Sequence, residues 1–245
     1  MLALGPAPVV IAGRATAFPA RSITTPELLH TLTPELGDAR RNALATHLEA
    51  EVGVDLRAFV TPPERALDLA IRAAQGAIGL AGIGPGWIVA HVHATSTPSR
   101  WTGPEAARIG QAIGLDAAFF DVRSGCTGGL WALVQAARLA VDARSPVLVT
   151  AADAFSLTFP AQGGERLLPL TMGDGAAALV LVAAGPEARG SGVVRAVFAG
   201  APTHADLATV PAELPPRAGD RFVLDGDPAA FGEAAERALA ARLSA

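Results

Sequence analysis

The sequence predicts an α/β protein built on a mixed, mostly parallel sheet flanked by helices. Three observations predict it. Apolar strand-like runs alternate with helical patterns along most of the 245 residues. The composition, 51% hydrophobic and 17% charged with a mean hydropathy of +0.37, suits a sheet covered on both faces. The third is the stretch 117–141, AAFFDVRSGCTGGLWALVQAARLAV, which reads as a buried strand, a tight turn and a long buried helix.

The composition also excludes chemistries. All 19 basic residues are arginine, so Schiff-base chemistry and a phosphate-loop lysine are excluded. Tyrosine is absent, which removes a Tyr-Lys reductase pair, and the single cysteine allows neither an internal disulfide nor a Cys-rich zinc site. A net charge of −4 gives no electrostatic case for nucleic acid. No apolar run approaches the ~20 residues of a membrane span. The expectation is a cytoplasmic protein, with residues 1–245 forming one domain and a final helix over 226–245.

In chain order, Val9 to Gly13 reads as a strand that the glycine ends. Thr25-Pro26-Glu27 opens a helix with Thr25 as N-cap, and Thr33-Pro34-Glu35 opens a second that runs to Val52. Its Arg40, Arg41 and His47 form a solvated face. Residues 57–60 are extended, and 64–81 repeat apolar residues every three or four positions, an amphipathic helix. Trp87 to Ala94 is a strand on which His91 and His93 point to one side. No third ligand lies near them, so they read as polar positions at an interface rather than as a metal site. A polar loop (95–103), a helix (104–113), a strand (146–152), a loop (153–170) and a turn entering a buried strand (171–183) follow. Further strands are expected at 190–199 and 221–224.

Cys126 falls where a strand gives way to a helix. The N-terminus of a helix carries unpaired N–H groups and a partial positive charge, both of which favour a thiolate. By elimination Cys126 is the one strong nucleophile, and a structural cysteine is the alternative reading.

The unit FDVRSGCTGGLWAL resembles the nucleophile segment of the thiolase superfamily, specifically of β-ketoacyl-acyl carrier protein synthase III. Thr95-Ser96-Thr97-Pro98 is similar to that family's loop before its dimer-interface helix, Met172 to Leu181 to its GDGAGA strand, and Pro202 to Asp206 to the hairpin start that follows. The resemblance implies a thiolase-like fold, the first of two pseudo-symmetric halves. It implies acyl transfer from coenzyme A or an acyl carrier protein onto Cys126, then condensation with an extender or transfer elsewhere. The backbone N–H of Cys126 would be one oxyanion donor. The acyl-coenzyme A or carrier phosphopantetheine is then a substrate, and no tightly bound cofactor or metal is implied. Asp174 would shape the floor of the site, and Trp101, Phe155 and Phe159 are candidates for lining an acyl pocket.

Two features depart from the family. Its second half supplies a histidine and an asparagine in motifs like H-Q-A-N and G-N-T-S, and neither motif occurs here; the one asparagine is Asn42. The stretch Gly53 to Arg57 only loosely resembles the family's adenine-gripping turn, so no coenzyme A role passes to Arg57. The expectation is therefore a second chain that covers an apolar helical face over 127–141 and supplies the histidine and asparagine, with a dimer contact through 95–113. Two alternatives stand beside this. One is a non-catalytic subunit of a ketosynthase complex. The other is a cysteine hydrolase of the α/β-hydrolase type, with Cys126, Asp153 and His204 in triad order but Ser124 where the nucleophile elbow needs glycine.

Overall fold

The structure, a computed structural model, describes residues 2–100, 102–159, 167–185, 192–193, 195–200, 208–209, 223–224, 232–233 and 236. Its centre is a five-stranded sheet of β2 (Val9–Ala17), β5 (Ala90–Ala94), β6 (Ala118–Val122), β7 (Val147–Asp153) and β8 (Gly175–Ala183), ordered β2-β8-β7-β5-β6. β5 pairs in parallel with both β6 and β7, while β8 runs antiparallel to both β7 and β2. Four strands thus point one way and β8 alone points back.

Alternation along the strands sorts the core into two layers. On one face Leu148, Ala152, Ala176, Ala178 and Val180 pack against α3 (Ala66–Ala81) and α4 (Glu105–Ile113). On the other, Ala90, Val92, Ala94, Val147, Val149 and Leu181 pack against α5 (Gly128–Ala143). A satellite core holds α1 (Thr25–Leu32), α2 (Asp38–Val52), α6 (Leu167–Thr171) and the ribbon β3 (Ser22–Thr24) with β4 (Leu56–Ala58). Short β1 (Leu2–Leu4) pairs with β9 (Ala196–Phe198), and β10 (Ala208–Thr209) with β11 (Val223–Leu224).

Several expectations shift. Gly13 does not end β2: the strand bulges between Ile11 and Gly13 and continues to Ala17. The glycine serves the layer above, since a β-carbon there would lie 2.0 Å from the Ala77 carbonyl oxygen of α3. The cap of α1 is Thr24, one residue earlier than expected, in a capping box with Glu27. Thr33 closes α1 rather than opening α2, its hydroxyl donating to the Leu29 carbonyl at 2.6 Å; α2 starts at Asp38 after Gly37. The strand expected over 87–94 begins only at Ala90, because Pro85–Trp87 form a 3-10 turn.

The apolar face expected on 127–141 is largely covered. Leu130 is 61% exposed, but Leu133, Leu139 and Val141 are half-buried, and Trp131 stacks on Phe198 of β9 with ring centroids 3.6 Å apart. Among the described residues no helix is long and apolar enough to cross a membrane. Within the expected helix 226–245 only Gly232, Glu233 and Glu236 are described; Pro202–Asp206 lies outside the described residues.

Candidate active site

The parallel strands β5, β6 and β7 end side by side, with Ala94 in register with Val122 and with Ala151. Ligand sites in sheets of this kind gather beyond the carboxyl ends of such strands. Here three chain segments leave those ends: the loop from Thr95, the cysteine turn from Arg123, and the segment from Asp153.

In the cysteine turn Gly125 takes a left-handed φ of +50°, which favours glycine. Gly128 N–H donates to the Gly125 carbonyl at 2.9 Å, and the Thr127 hydroxyl to the Ser124 carbonyl at 2.8 Å. Helix α5 begins at Gly128 with Thr127 as N-cap, so Cys126 stands just before the cap rather than inside the first turn. Its thiol is free and exposed. A β-carbon on Gly128 would just touch Ala94 and Val122, and one on Gly129 would just touch Ala151. The helix start is therefore seated directly over the three strand ends.

Carboxylates hold the surrounding loops, and these were the residues hardest to place from sequence. Asp153 Oδ1 accepts from the N–H groups of Ser96 at 2.7 Å and Thr97 at 3.0 Å, and from the hydroxyls of Thr95 and Thr97. That anchors the loop after β5 and commits the carboxylate elsewhere than to a hydrolase triad; His204 lies outside the described residues. Asp121 accepts from the N–H groups of Glu105 at 2.7 Å and Ala106 at 2.9 Å, capping α4 from the neighbouring strand. Asp174, 3% exposed, accepts from Val60 N–H at 2.8 Å, Ser156 N–H at 3.0 Å and the Ser156 hydroxyl. It ties the 155–159 segment to the satellite core. An aspartate at the boundary of an apolar strand was the available signal for the first and third.

Phe155 and Phe159 sit on that tethered segment, both half-buried; Phe159 packs edge-on against Phe59 at 5.9 Å. Trp101 lies outside the described residues. Arg57 is 4% exposed, and its donors go to the carbonyls of Leu170 and Val54 and to the Thr25 hydroxyl. Burial lowers its pKa, with Glu49 and Asp55 acting against the change. It clamps three segments of the satellite core and presents no free fork to a ligand. A cleft of about 570 Å³ opens nearby, lined by Thr16, Phe18, Leu56, Arg57, Asp153 and Asp174 among others; Cys126 is not in its wall. His91 and His93 are fully buried between β5, β7 and α4, and among the described residues no group of three His, Cys, Asp or Glu could hold a metal ion.

Residues 120–201, which include the cysteine turn, match the family model of 3-oxoacyl-[acyl-carrier-protein (ACP)] synthase III. The chain is 34% identical over 214 residues to beta-ketoacyl-[acyl-carrier-protein] synthase III 3 of Streptomyces coelicolor, covering 86% of this chain and 60% of that one. It is 35% identical over 184 residues to the acetoacetyl CoA synthase NphT7 of Streptomyces sp. CL190, covering 72% and 52%. Among solved structures, 3-oxoacyl-(acyl carrier protein) synthase III of Pseudomonas aeruginosa PAO1 aligns with a TM-score of 0.74 at 27% identity, over 93% of this chain and 66% of that one. The chain thus spans roughly half to three fifths of the length of these two curated relatives.

Proposed function

The chain is a ketosynthase III-like protein of the thiolase superfamily, and we propose on that premise that it takes part in acyl transfer and condensation, with Cys126 as acyl acceptor. The observation that carries this is the exposed thiol in front of α5, at the meeting of three parallel strand ends, inside the segment that matches the family model. In the proposed step the Cys126 sulfur attacks the carbonyl carbon of an acyl thioester. A carbon–sulfur bond forms to Cys126, the bond to the coenzyme A or carrier sulfur breaks, and the departing thiolate takes up the proton that the cysteine gave up. The backbone N–H of Cys126, just ahead of α5, is proposed as one donor to the oxygen that gains charge.

We further propose that the histidine and asparagine of the condensation step come from protein outside these 245 residues, as a second chain. The absence of both motifs from the sequence supports this, as does a thiol open to water where acyl-enzyme chemistry needs water excluded. A dimer contact through 95–113 is proposed beside it. β6 is an edge strand flanking α4, with Phe120 37% exposed, and unpaired edges are surfaces that proteins cover. Phe155 and Trp101 are proposed to line the acyl channel, with Phe159 buttressing it.

Incubation of the chain with acyl-coenzyme A and with acyl carrier protein thioesters, followed by intact mass, tests the reading. One acyl adduct is expected, lost in Cys126→Ala. No adduct, alone or with a second-half protein present, would leave a non-catalytic subunit. Size exclusion tests the association: a folded, monodisperse monomer at all concentrations would refute it.

A further inference from the structure

Three buried polar side chains form a chain of hydrogen bonds inside the layer between the sheet and α4, ending opposite a fourth, and its polarity can be read from one end. His91 Nδ1 lies 3.1 Å from the Ala106 carbonyl oxygen, which can only accept, so that nitrogen carries a hydrogen. His91 is held neutral: burial first, and then the charge of His93, push its pKa down to about 3. Its Nε2 is therefore bare and accepts from the Thr150 hydroxyl at 2.8 Å. That hydroxyl has one hydrogen, already spent, so its oxygen must accept from His93 Nδ1 at 2.8 Å. His93 Nδ1 is protonated in turn, and a neutral ring would leave His93 Nε2 as a bare lone pair.

His93 Nε2 faces Glu105 Oε2 at 3.8 Å, with both side chains essentially inaccessible to water and both atoms without a hydrogen-bond partner. The other carboxylate oxygen accepts from Ser99 N–H at 2.6 Å and from the Ser99 hydroxyl. Burial alone would raise the Glu105 pKa, but His93 and Ser99 outweigh it and the net direction is downward. Asp121, opposite His93 in the β5–β6 register, is not the acceptor, because both its oxygens bind N–H groups of α4. A bare nitrogen facing a carboxylate in this dry layer would set two lone pairs against each other.

We propose that His93 and Glu105 hold one proton between them, and that this pair fixes the carboxylate that anchors the loop after β5 at Ser99. The pair is a positioning device: it touches no reacting atom, and it acts on the loop that leaves the site beside the Cys126 turn. The inference stands on the hydrogen-bond geometry together with the burial that keeps His91 neutral; only its consequence for acylation rests on the function proposed above.

The wild-type chain provides the first test, through long-range proton–nitrogen correlation of its imidazoles at pH 7. His93 Nε2 is expected away from the bare-nitrogen position, and a bare Nε2 would overturn the proposal. Amide exchange provides the second. His93→Leu strands a buried carboxylate, and the Ser99 amide should exchange at least tenfold faster. Adding Glu105→Gln should reverse most of that, since the amide oxygen still accepts from Ser99 and needs no proton partner. Unchanged Ser99 exchange in folded His93→Leu, or no recovery in the folded double variant, would also overturn it. Because none of these readouts involves an acyl group, they fail separately from the acyl-transfer reading.

Discussion

Arg57 shows how much a single buried side chain can organise. It is a buried guanidinium whose four hydrogen bonds go to two backbone carbonyls and a threonine hydroxyl, with Glu49 and Asp55 acting on it without a direct bond. Lysine there cannot bridge Leu170, Val54 and Thr25 together. Arg57→Lys is expected to cost roughly 2–3 kcal/mol, read as a lowered urea midpoint, because buried carbonyls lose their partners. A midpoint equal to wild type would show that the clamp contributes nothing. At this scale the sequence was uneven. Cys126 stood out because it is the only thiol and sits between a strand and a helix. Asp153, Asp121 and Glu105 did not, because their partners are backbone N–H groups that only the fold brings to them, from 6 residues away in the chain for Glu105 to 57 for Asp153.

Elements were legible where periodicity was long. The helix of 64–81, the cysteine unit and the strand before it stand within two residues of their expected places, since an amphipathic stripe or an apolar run reports its own burial. The misplacements came from residues with two uses. Gly13 looks like a terminator and is a gap for α3; Thr33 looks like an N-cap and is a C-terminal donor. Gly13→Ala tests the first reading. The new methyl meets the backbone of α3, so a loss of about 1–3 kcal/mol or more is expected in denaturant titration. Gly5→Ala, with open space around its β-carbon, is the matched control. Equal stabilities would refute the packing argument.

For the whole molecule, the buried histidine layer sets an acid limit. A histidine whose proton affinity falls on folding contributes in full above its unfolded value of 6.5, and that contribution is lost as pH falls from there toward about 3. Stability should decline by about 1.4 kcal/mol per pH unit across that window from His91 alone. Glu105, whose pKa is lowered, adds to the loss below its ordinary 4.5. Urea midpoints taken between pH 7 and pH 4 check this, and a flat profile would contradict it.

The seam between α3 and the sheet has a consequence of its own. It is paved with Ala70, Ala73, Ala74 and Ala77 against Ala15, Ala17, Ala176 and Ala178. Alanine has no side-chain torsion, so this seam surrenders no rotamer entropy on folding and holds no second arrangement to visit afterwards. The β2–β8 side of the sheet is thereby mounted on a layer with little room to rearrange, so movement at the sheet's carboxyl ends falls to the loops rather than to this seam.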